Sequence, residues 1–413
     1  VQNGPFRGRV YLAGGAVRDM ELGKDPKDLD VVVTGGIDAG MEFAKWATQT
    51  MNNHSEGNPV LFPTYGTAKF TLKGIVHNGI DLSDVDIEAV ATRKEKYVPG
   101  SRKPSVSAGD LADDVHRRDF TVNSLLKDLT NGEILDLTGL GKEDIKNGIV
   151  RTPLNPDVIF TDDPLRMLRA VRFAFKYDWN LPMFMIKALK KNASQLQNIS
   201  AERIRDELNK ILVTGNPDRA IKLLRITGLL QYIIPELKNA YRMTQNVHHR
   251  SDVFTHTLEV LKKTNPVLIR RLMALFHDIG KTVTRSVTPT GVHFYGHEDA
   301  GATMAKEIMA RLKYPNEITN AVVLGVANHM RLKHGGDDAV KLTDKTLRKF
   351  KIALGDQLEN LLDVMHADNV AHSEASSMPN QIANIRKRLD ALNVSTVTKP
   401  TLPITGNDLI AMG

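Results

Sequence analysis

Residues Val10–Gly36, VYLAGGAVRDMELGKDPKDLDVVVTGG, decide how the chain is read. A short apolar run breaks at Gly14-Gly15 and passes into a predicted helix that carries Arg18 and Asp19. The chain then turns through Lys24–Lys27 into the strand-like LDVVV, where Asp28 and Asp30 stand two residues apart. Strand side chains alternate with a period of two, so both carboxylates project from one face. There they repel each other and lose solvation, a conflict that a divalent cation between them relieves. The Gly14-Gly15 turn frees backbone N–H groups at a helix start, which suits phosphate, and Arg18 adds a charge-assisted donor. Phosphate donors and a metal-binding carboxylate pair in one turn-and-strand unit imply nucleotidyl-transfer chemistry. A surface glycine turn followed by a solvated acidic loop explains either half alone, but not their combination with Arg18.

The 413 residues suffice for two to four domains with a sizeable core. A hydrophobic content of 41% and a charged content of 25% are those of a globular protein. The absence of cysteine excludes disulfides and thiolate metal sites and fits a reducing, cytoplasmic setting. No apolar run approaches the roughly 18 residues of a membrane span, and no signal-peptide pattern opens the chain, so no membrane association is expected. A net charge of +7 favours a polyanionic partner.

From Val10 to about Arg151, short β-rich runs (VVVTG, AKFTLKG, GIDLSDVDIEAVAT) alternate with helical ones, including Met41–Met51 and a turn at Asn131-Gly132. This mixture predicts a compact α+β domain. Beyond Arg151 the β signal fades, and helical periodicity covers Pro164–Tyr177, Met183–Leu196, Ala201–Leu212 and Asp218–Tyr232. Boundaries are expected near Pro153–Pro156 and Pro235–Val247, and Val394–Pro403 reads as a linker. Within DLSDVDIEAV, alternation puts Asp84, Asp86 and Glu88 on one face, and a third metal-binding carboxylate is either Asp86 or Glu88. Residues Tyr97–Asp113 read as a Gly/Ser/Pro-rich loop. In HRRDFTVNSLL, Arg118 can bind phosphate or ribose. Asp119 and Asn123 can bind sugar hydroxyls or fix the arginines, and Asp119 also fits a helix N-cap.

The run GGAVRDMELGKDPKDLDVVV strongly resembles the signature of class II nucleotidyltransferases of the tRNA CCA-adding and bacterial poly(A) polymerase family. HRRDFTVNSLL, TDDPLRMLRAVRFAFKY and ISAERIRDELNKIL resemble its next segments, in family order. The resemblance implies an α+β fold: a palm-like mixed-sheet head at 1–152, then an all-α neck and body at 153–240. It selects Glu88, five residues before Arg93 in an R-x-E-x-Y run, as the third catalytic carboxylate beside Asp28 and Asp30, with Mg²⁺ as the cofactor. It implies that Gly15, Arg18, Arg118, Asp119, Arg169 and Arg172 bind nucleotide. The helix after Asp162 and Pro164 would select the base. Asp163, Arg166 and Arg169, three apart, share one broad face, while Leu165, Leu168, Val171 and Phe175 pack. An Asp acceptor beside an Arg donor matches cytosine and adenine, both of which carry an exocyclic amine next to a ring acceptor. Asp162 stands where the family often has Glu. ISAERIRDELNKIL reads as structural, with Ser200 as its cap.

The second helical block (VHHRSDVFTHTLEVL, RRLMALFHDIGK, YGHEDAGA, LLDVMHADNVAH) resembles an HD-type metal phosphohydrolase domain, expected at 241–375. His256, His277, Asp278 and Asp368 would be its ligands, a set suited to Ni²⁺, Mn²⁺, Mg²⁺ or Fe²⁺. His297 and His329 can complete a second site, but lone helix-face histidines such as these and His248 and His249 are commonly structural. Residues 376–413 form a C-terminal helical or linker segment, and LPITGNDLIAMG resembles a family segment that normally continues, so the resemblance implies a truncated or absent final helix. The implied activity is addition of C and A to the 3′ end of tRNA from CTP and ATP. Its alternatives are a poly(A) polymerase, or an HD phosphohydrolase with a nucleotide-sensing transferase domain. The choice among CCA, CC and A addition, and the oligomeric state, stay open at this level.

Overall fold

The computed structural model describes residues 1–392 apart from 27, 52, 53, 75, 78, 79, 82, 97–104 and 246–250. Lys27, the first part of the Tyr97–Asp113 loop, His248, His249, the Val394–Pro403 linker and the terminal LPITGNDLIAMG lie outside the described residues. The chain divides into two compact units, one of Val1–Glu207 with Leu223–Tyr232, the other of Leu208–Lys222 and the residues from Ile233 on.

In chain order the first unit begins with β1 (Val10–Ala13), α1 (Gly15–Glu21), β2 (Leu29–Val33), α2 (Ala39–Met51), β3 (Val60–Phe62) and β4 (Thr67–Thr71). A small pair follows, β5 (Val76–His77) and β6 (Ile80–Asp81), then β7 (Asp86–Ala91), β8 (Arg93–Lys96), β9 (Ser105–Ala108) and α3 (Leu111–His116). Strands β10 (Leu126–Asp128) and β11 (Ile134–Leu135) and helix α4 (Gly141–Asn147) complete the mixed α+β part. The main sheet has the order β11-β10-β1-β2-β7-β4-β3. Its neighbours are antiparallel except β2 and β7, which run parallel with Asp30 opposite Glu88. A parallel pair needs a long crossover, supplied here by α2 and the β3–β4 hairpin.

Alternation divides the two faces. Val31, Val33, Ala89 and Ala91 bury against Phe43, Ala44 and Ala47 of α2 in one core. Val32 packs on the other side with Tyr11, Ala13, Val115 and Leu126. Asp30 and Glu88 occupy alternate positions to the α2-facing residues, so the sheet presents them away from α2.

The later part is helical: α5 (Pro156–Asp162), α6 (Arg166–Tyr177), α7 (Met183–Asn192), α8 (Ala201–Leu212) and α9 (Pro217–Ile226). In the second unit follow α10 (Val253–Lys263), α11 (Leu268–Phe276), α12 (Lys281–Thr284), the hairpin β12 (Ser286–Thr288) and β13 (Gly291–His293), α13 (His297–Arg311), α14 (Asn316–Asn328), α15 (Asp344–Leu354), α16 (Leu358–Ala371) and α17 (Gln381–Ala391). Helix α17 contributes Ile382, Ile385 and Leu389 to a core shared with Leu347, Phe350, Leu361 and Leu362.

Several local expectations change. Asp28 lies in the bend before β2 rather than on the strand. Asp84 occupies a left-handed turn at φ 65°, so it does not share the β7 face. Within the predicted loop, Ser105–Ala108 pairs antiparallel with β8, and Asp110 forms a reciprocal cap with Asp113 at the start of α3. Helix α6 starts at Arg166 instead of Pro164, because Asp163 is extended and its side chain accepts the Leu165 N–H at 3.1 Å. The helices predicted to reach Leu196 and Tyr232 end at Asn192 and Ile226, and their tails are 3-10 turns.

Candidate active sites

The first unit holds a cavity of about 430 Å³ beside the carboxylate-bearing face of the sheet, lined by Gly14, Gly15, Asp30, Asp163 and six arginines, Arg18, Arg117, Arg118, Arg166, Arg169 and Arg203, among others. Gly14 stands at its lip with φ 67°. A Cβ there would lie 3.1 Å from Arg118 Nη1 and 3.4 Å from Asp30 Oδ2. Both the backbone angle and the crowding call for glycine.

Asp30 and Glu88 are exposed, yet each titrates above its ordinary range. Local desolvation is the main cause for both. Asp28 repels Asp30, and Asp30 repels Glu88, while Arg118 partly offsets the effect at Asp30. Three mutually repelling carboxylates that offer only oxygen fit a hard divalent cation. Their oxygens do not close within 4.8 Å as a set; among the described residues the groups that do are all in the second unit. Asp86 shares the strand face of Glu88 but is already engaged. It pairs with Lys69 at 2.7 Å and accepts from Thr71.

The arginines are fixed by carboxylates beneath them. Buried Asp114 takes Arg118 at 2.8 Å on one oxygen and Arg117 on the other. Burial opposes its ionisation, but the two guanidiniums hold its carboxyl below the usual range. Arg18 donates to Asp19 and, at 2.6 Å, to Asn123 Oδ1, and lies over the rings of Phe173 and Tyr177. Asp119 accepts Arg169 through Nε and Nη2, and also the Phe120 N–H and Asn123 Nδ2. Burial works against its charge and Arg169 overrides it, so Asp119 stays ionised. Asp119 is therefore a fixing residue for Arg169, and its other oxygen accepts the Phe120 N–H and Asn123 Nδ2.

Helix α6 carries the remaining wall. Arg166 is 8% exposed and its Nη1 has no hydrogen-bond partner. Asp163 pairs with Arg203 of α8 at 2.9 Å. Arg172 is bound by Glu207 of α8 at 2.7 Å and is not among the cavity residues. Phe173, rather than Phe175, is the deeply packed aromatic, at 5.2 Å from Phe120. The α8 segment thus does more than fill core, since two of its polar residues hold the α6 face in place. Asp114, Arg203 and Glu207 were missed as site residues. The i,i+3 and i,i+4 spacing of Asp114 to Arg117 and Arg118 was the available signal for the first.

In the second unit, seven groups converge from five helices. His256 (α10) lies 3.0 Å from Asp368 (α16) and 3.7 Å from Asp278. Asp278 Oδ2 is 3.2 Å from His277 Nε2, and its Oδ1 is 3.4 and 3.7 Å from the Nε2 atoms of His297 and His329. His372 approaches Asp368 at 3.5 Å. His297 and His329, set aside on sequence as structural, therefore belong to the cluster. So does His372.

The hydrogen bonds of these rings show what they can hold. His277, His297 and His329 direct Nδ1 at the carbonyls of Ala274, Phe294 and Val326, at 2.8, 2.8 and 2.7 Å. A carbonyl only accepts, so each Nδ1 carries the proton, and in the neutral ring Nε2 is a lone pair. His297 and His329 then aim two lone pairs at each other across 3.3 Å, and buried His277 Nε2 makes no hydrogen bond. Such an arrangement is stable around a cation. Burial pushes His372 down to about 4 and also lowers His329. Asp278 and Asp368 are held well below the carboxylate range against burial, Asp278 first by His277 and Lys281, Asp368 by Lys333. Burial alone would lower His277, but Asp278 raises it, so a proton competes there with a metal. Imidazoles with two carboxylates fit a transition metal better than Mg²⁺.

Gly280 explains how the cluster closes. A Cβ on it would fall 2.0 Å from the His297 carbonyl oxygen and 2.5 Å from Gly301 N. Only a bare Cα lets α13 bring His297 beside Asp278.

A mixed sheet with paired acidic strands and an arginine-lined cavity, followed by a buried His/Asp cluster on helices, defines a nucleotidyltransferase head joined to an HD-type metal domain. Residues 10–151 match the Poly A polymerase head domain, 185–241 the probable RNA and SrmB-binding site of polymerase A, and 253–372 the HD domain. The multifunctional CCA protein of Haemophilus influenzae is 31% identical over 75% of this chain and 71% of its own length. The CC-adding tRNA nucleotidyltransferase of Thermus thermophilus is 29% identical over 88% and 76%. The solved Bacillus stearothermophilus CCA-adding enzyme in complex with CTP superimposes with a TM-score of 0.63 at 22% identity, covering 97% of this chain and 82% of that one. The chain belongs to the family of tRNA nucleotidyltransferases and multifunctional CCA proteins. Among the described residues no helix is long and apolar enough to cross a membrane.

The raised Asp30 carboxyl carries a stability consequence. Its ionised form is disfavoured by folding, so the cost is absent below the unfolded-state pKa and complete above the folded one. Without divalent ions, Asp30→Asn is expected to raise Tm at pH 7, with the gain vanishing at acid pH, as thermal melts at both pH values will show. Gly280→Ala is expected to cost about 1–3 kcal/mol by overpacking, read by denaturant melts, and to weaken binding of Mn²⁺ or Ni²⁺ by calorimetry.

Proposed function

We propose that this chain adds C and A to the 3′ end of tRNA, taking them from CTP and ATP, and that its HD domain hydrolyses phosphate esters at RNA 3′ ends. The observation that supports the first part is the parallel β2–β7 pairing. It sets Asp30 beside Glu88 at the mouth of an arginine-walled cavity that also contains the Asp163–Arg166 edge.

In this reading residues 1–152 are the head, 153–240 the neck and body, and 241–375 the HD domain, with 376–413 following. Asp28, Asp30 and Glu88 hold Mg²⁺, which when bound activates the RNA 3′-hydroxyl and neutralises charge on the departing pyrophosphate. Arg18 and Arg118, already fixed by Asp19, Asn123 and Asp114, take the triphosphate together with Arg169 and the backbone at Gly15. Fixing the guanidiniums in advance removes their ordering cost from nucleotide binding. Arg172 acts one step back, tying α6 to Glu207.

Base choice follows from which atoms are left open. Arg166 Nη1, buried without a partner, donates to the ring acceptor of cytosine or adenine, and Asp163 accepts the neighbouring amine. Before a base arrives Arg203 satisfies Asp163. Uracil and guanine present a carbonyl in place of the amine and leave the carboxylate facing an acceptor, at a cost of roughly 1–3 kcal/mol.

The HD cluster takes Ni²⁺, Mn²⁺ or Mg²⁺ on His256, His277, Asp278 and Asp368, and His297 and His329 extend the ligand set around Asp278. Removing a 3′ phosphate, or hydrolysing a 2′,3′-cyclic phosphate at its P–O3′ bond so that the phosphate stays on O2′, would expose the hydroxyl that the transferase extends.

Incubating the protein with Mg²⁺ and tRNAs ending before CC, after CC and after CCA, each NTP offered singly, tests the transferase. The expected result is C onto the first, A onto the second and nothing onto the third. Asp163→Ala should then admit UTP and GTP, losing roughly five- to 150-fold in selectivity with smaller change in triphosphate affinity; unchanged selectivity would place base choice elsewhere. For the HD site, His277→Ala should abolish phosphate-ester hydrolysis and leave CCA addition to a free 3′-hydroxyl almost unchanged, both assayed on one preparation with Mg²⁺, Mn²⁺ and Ni²⁺ in turn.

A further inference from the structure

Above the HD cluster lies a second cavity, of about 410 Å³, within the range of small-ligand pockets. Its floor is formed by Asp278, His297, Asp368 and His372, with Lys281 and Lys333 beside them. The two ammonium groups sit 2.7 Å from Asp278 and 2.6 Å from Asp368. Cations poised against the metal-ligating carboxylates suit the oxygens of a phosphoryl group.

The wall has a different chemistry. Hairpin β12–β13 ends in His293, and two residues later Tyr295 stands 77% exposed on the cavity lining. The two rings are parallel, 5.2 Å between centroids and 8° between planes. The Tyr295 hydroxyl lies 3.2 Å from His293 Nδ1, and His293 Nε2 is 3.0 Å from the hydroxyls of both Thr288 and Thr290. The hydroxyl's contact to His293, itself held by Thr288 and Thr290, thus fixes the orientation of an aromatic ring that the fold leaves in water. Tyr295 buries little, so core packing does not account for it, whereas its neighbour Phe294 is buried and anchors the strand end.

We propose that Tyr295, backed by His293, is the stacking platform for the base of the substrate whose phosphate sits at Lys281 and Lys333. The proposal rests on the reading of the HD cluster as a phosphohydrolase and adds the group that distinguishes a nucleotide from any other phosphate ester. Every base offers a π-face, so the platform selects for a base without choosing among the four. The nucleotide can be free or the last residue of an RNA strand.

The test compares adenosine 3′-monophosphate, an oligoribonucleotide ending in a 3′-phosphate, and glycerol 2-phosphate, which has no base, on protein loaded with Mn²⁺. Tyr295→Ala is expected to raise KM for the first two on the order of tenfold to a hundredfold, with kcat little changed, and to leave glycerol 2-phosphate alone. Tyr295→Phe should recover most of the loss, since the ring does the stacking, and fall short of wild type only by the hydroxyl's hold on His293. If the mononucleotide responds and the oligonucleotide does not, free nucleotides are the substrate; the reverse identifies RNA ends. Equal loss on all three compounds, or none on any, overturns the platform. A wild-type protein that hydrolyses none of them overturns the phosphohydrolase reading instead. Calorimetric binding of adenosine 3′-monophosphate and glycerol 2-phosphate still decides the platform in that case: wild type must prefer the nucleotide and Tyr295→Ala must not.

Discussion

The first unit is built around one electrostatic conflict, the placing of Asp30 beside Glu88 by two strands that run parallel in an otherwise antiparallel sheet. Hydrogen bonding sets that register, and the side chains must live with it. Their carboxyls hold protons more tightly than usual because they are desolvated and close to one another. The surroundings answer only in part, with Arg118 at Asp30, its own charge held by Asp114, and with Arg93 and Lys69 at Glu88. What remains uncompensated is the attraction for a divalent cation. Packing on the reverse face makes the conflict tolerable, because Val31, Val33, Ala89 and Ala91 tie both strands to α2.

The second unit meets the same problem with other donors. Its carboxylates are buried, so burial cost is larger, and neighbouring ammonium and imidazole groups keep Asp278 and Asp368 ionised. One carboxylate, Asp278, touches both halves of the histidine set, one oxygen to each. The two units thus use hard oxygen donors near solvent in one case and imidazoles in a dry pocket in the other. Donor chemistry of this kind would sort the divalent ions that the two sites could take.

Much of this was legible in the residues. Val10–Gly36 announced a strand, a glycine turn, an arginine-bearing helix and a strand with an acidic approach, because each is a local pattern whose signal lies within a few positions. The apolar stripes of the later helices were legible for the same reason. What did not show was any pairing across distance. Nothing near Glu88 says that β7 lies parallel to β2, and the choice between Asp86 and Glu88 needed either family resemblance or that register. Arg203 and Glu207 look like ordinary polar positions on an amphipathic helix until α6 is set against them. His297 and His329 are unremarkable singly; their meaning is in a 3.3 Å approach between residues 32 apart. Start points of helices slipped by a residue or two where a side chain competed with the backbone, as Asp163 does ahead of α6.

His277, His297 and His329 each anchor their ring to the carbonyl three residues earlier. The rings are therefore oriented by the polypeptide itself, before any ion arrives. Such a pocket behaves as a rigid mould, and a mould does not choose its casting. Preference among divalent ions then follows the general order of affinity for nitrogen donors, multiplied by whatever each ion's free concentration is at the moment of filling. An ion taken up on those terms would be a record of growth medium and purification buffer, and two preparations identical in sequence and shape would then differ in reactivity.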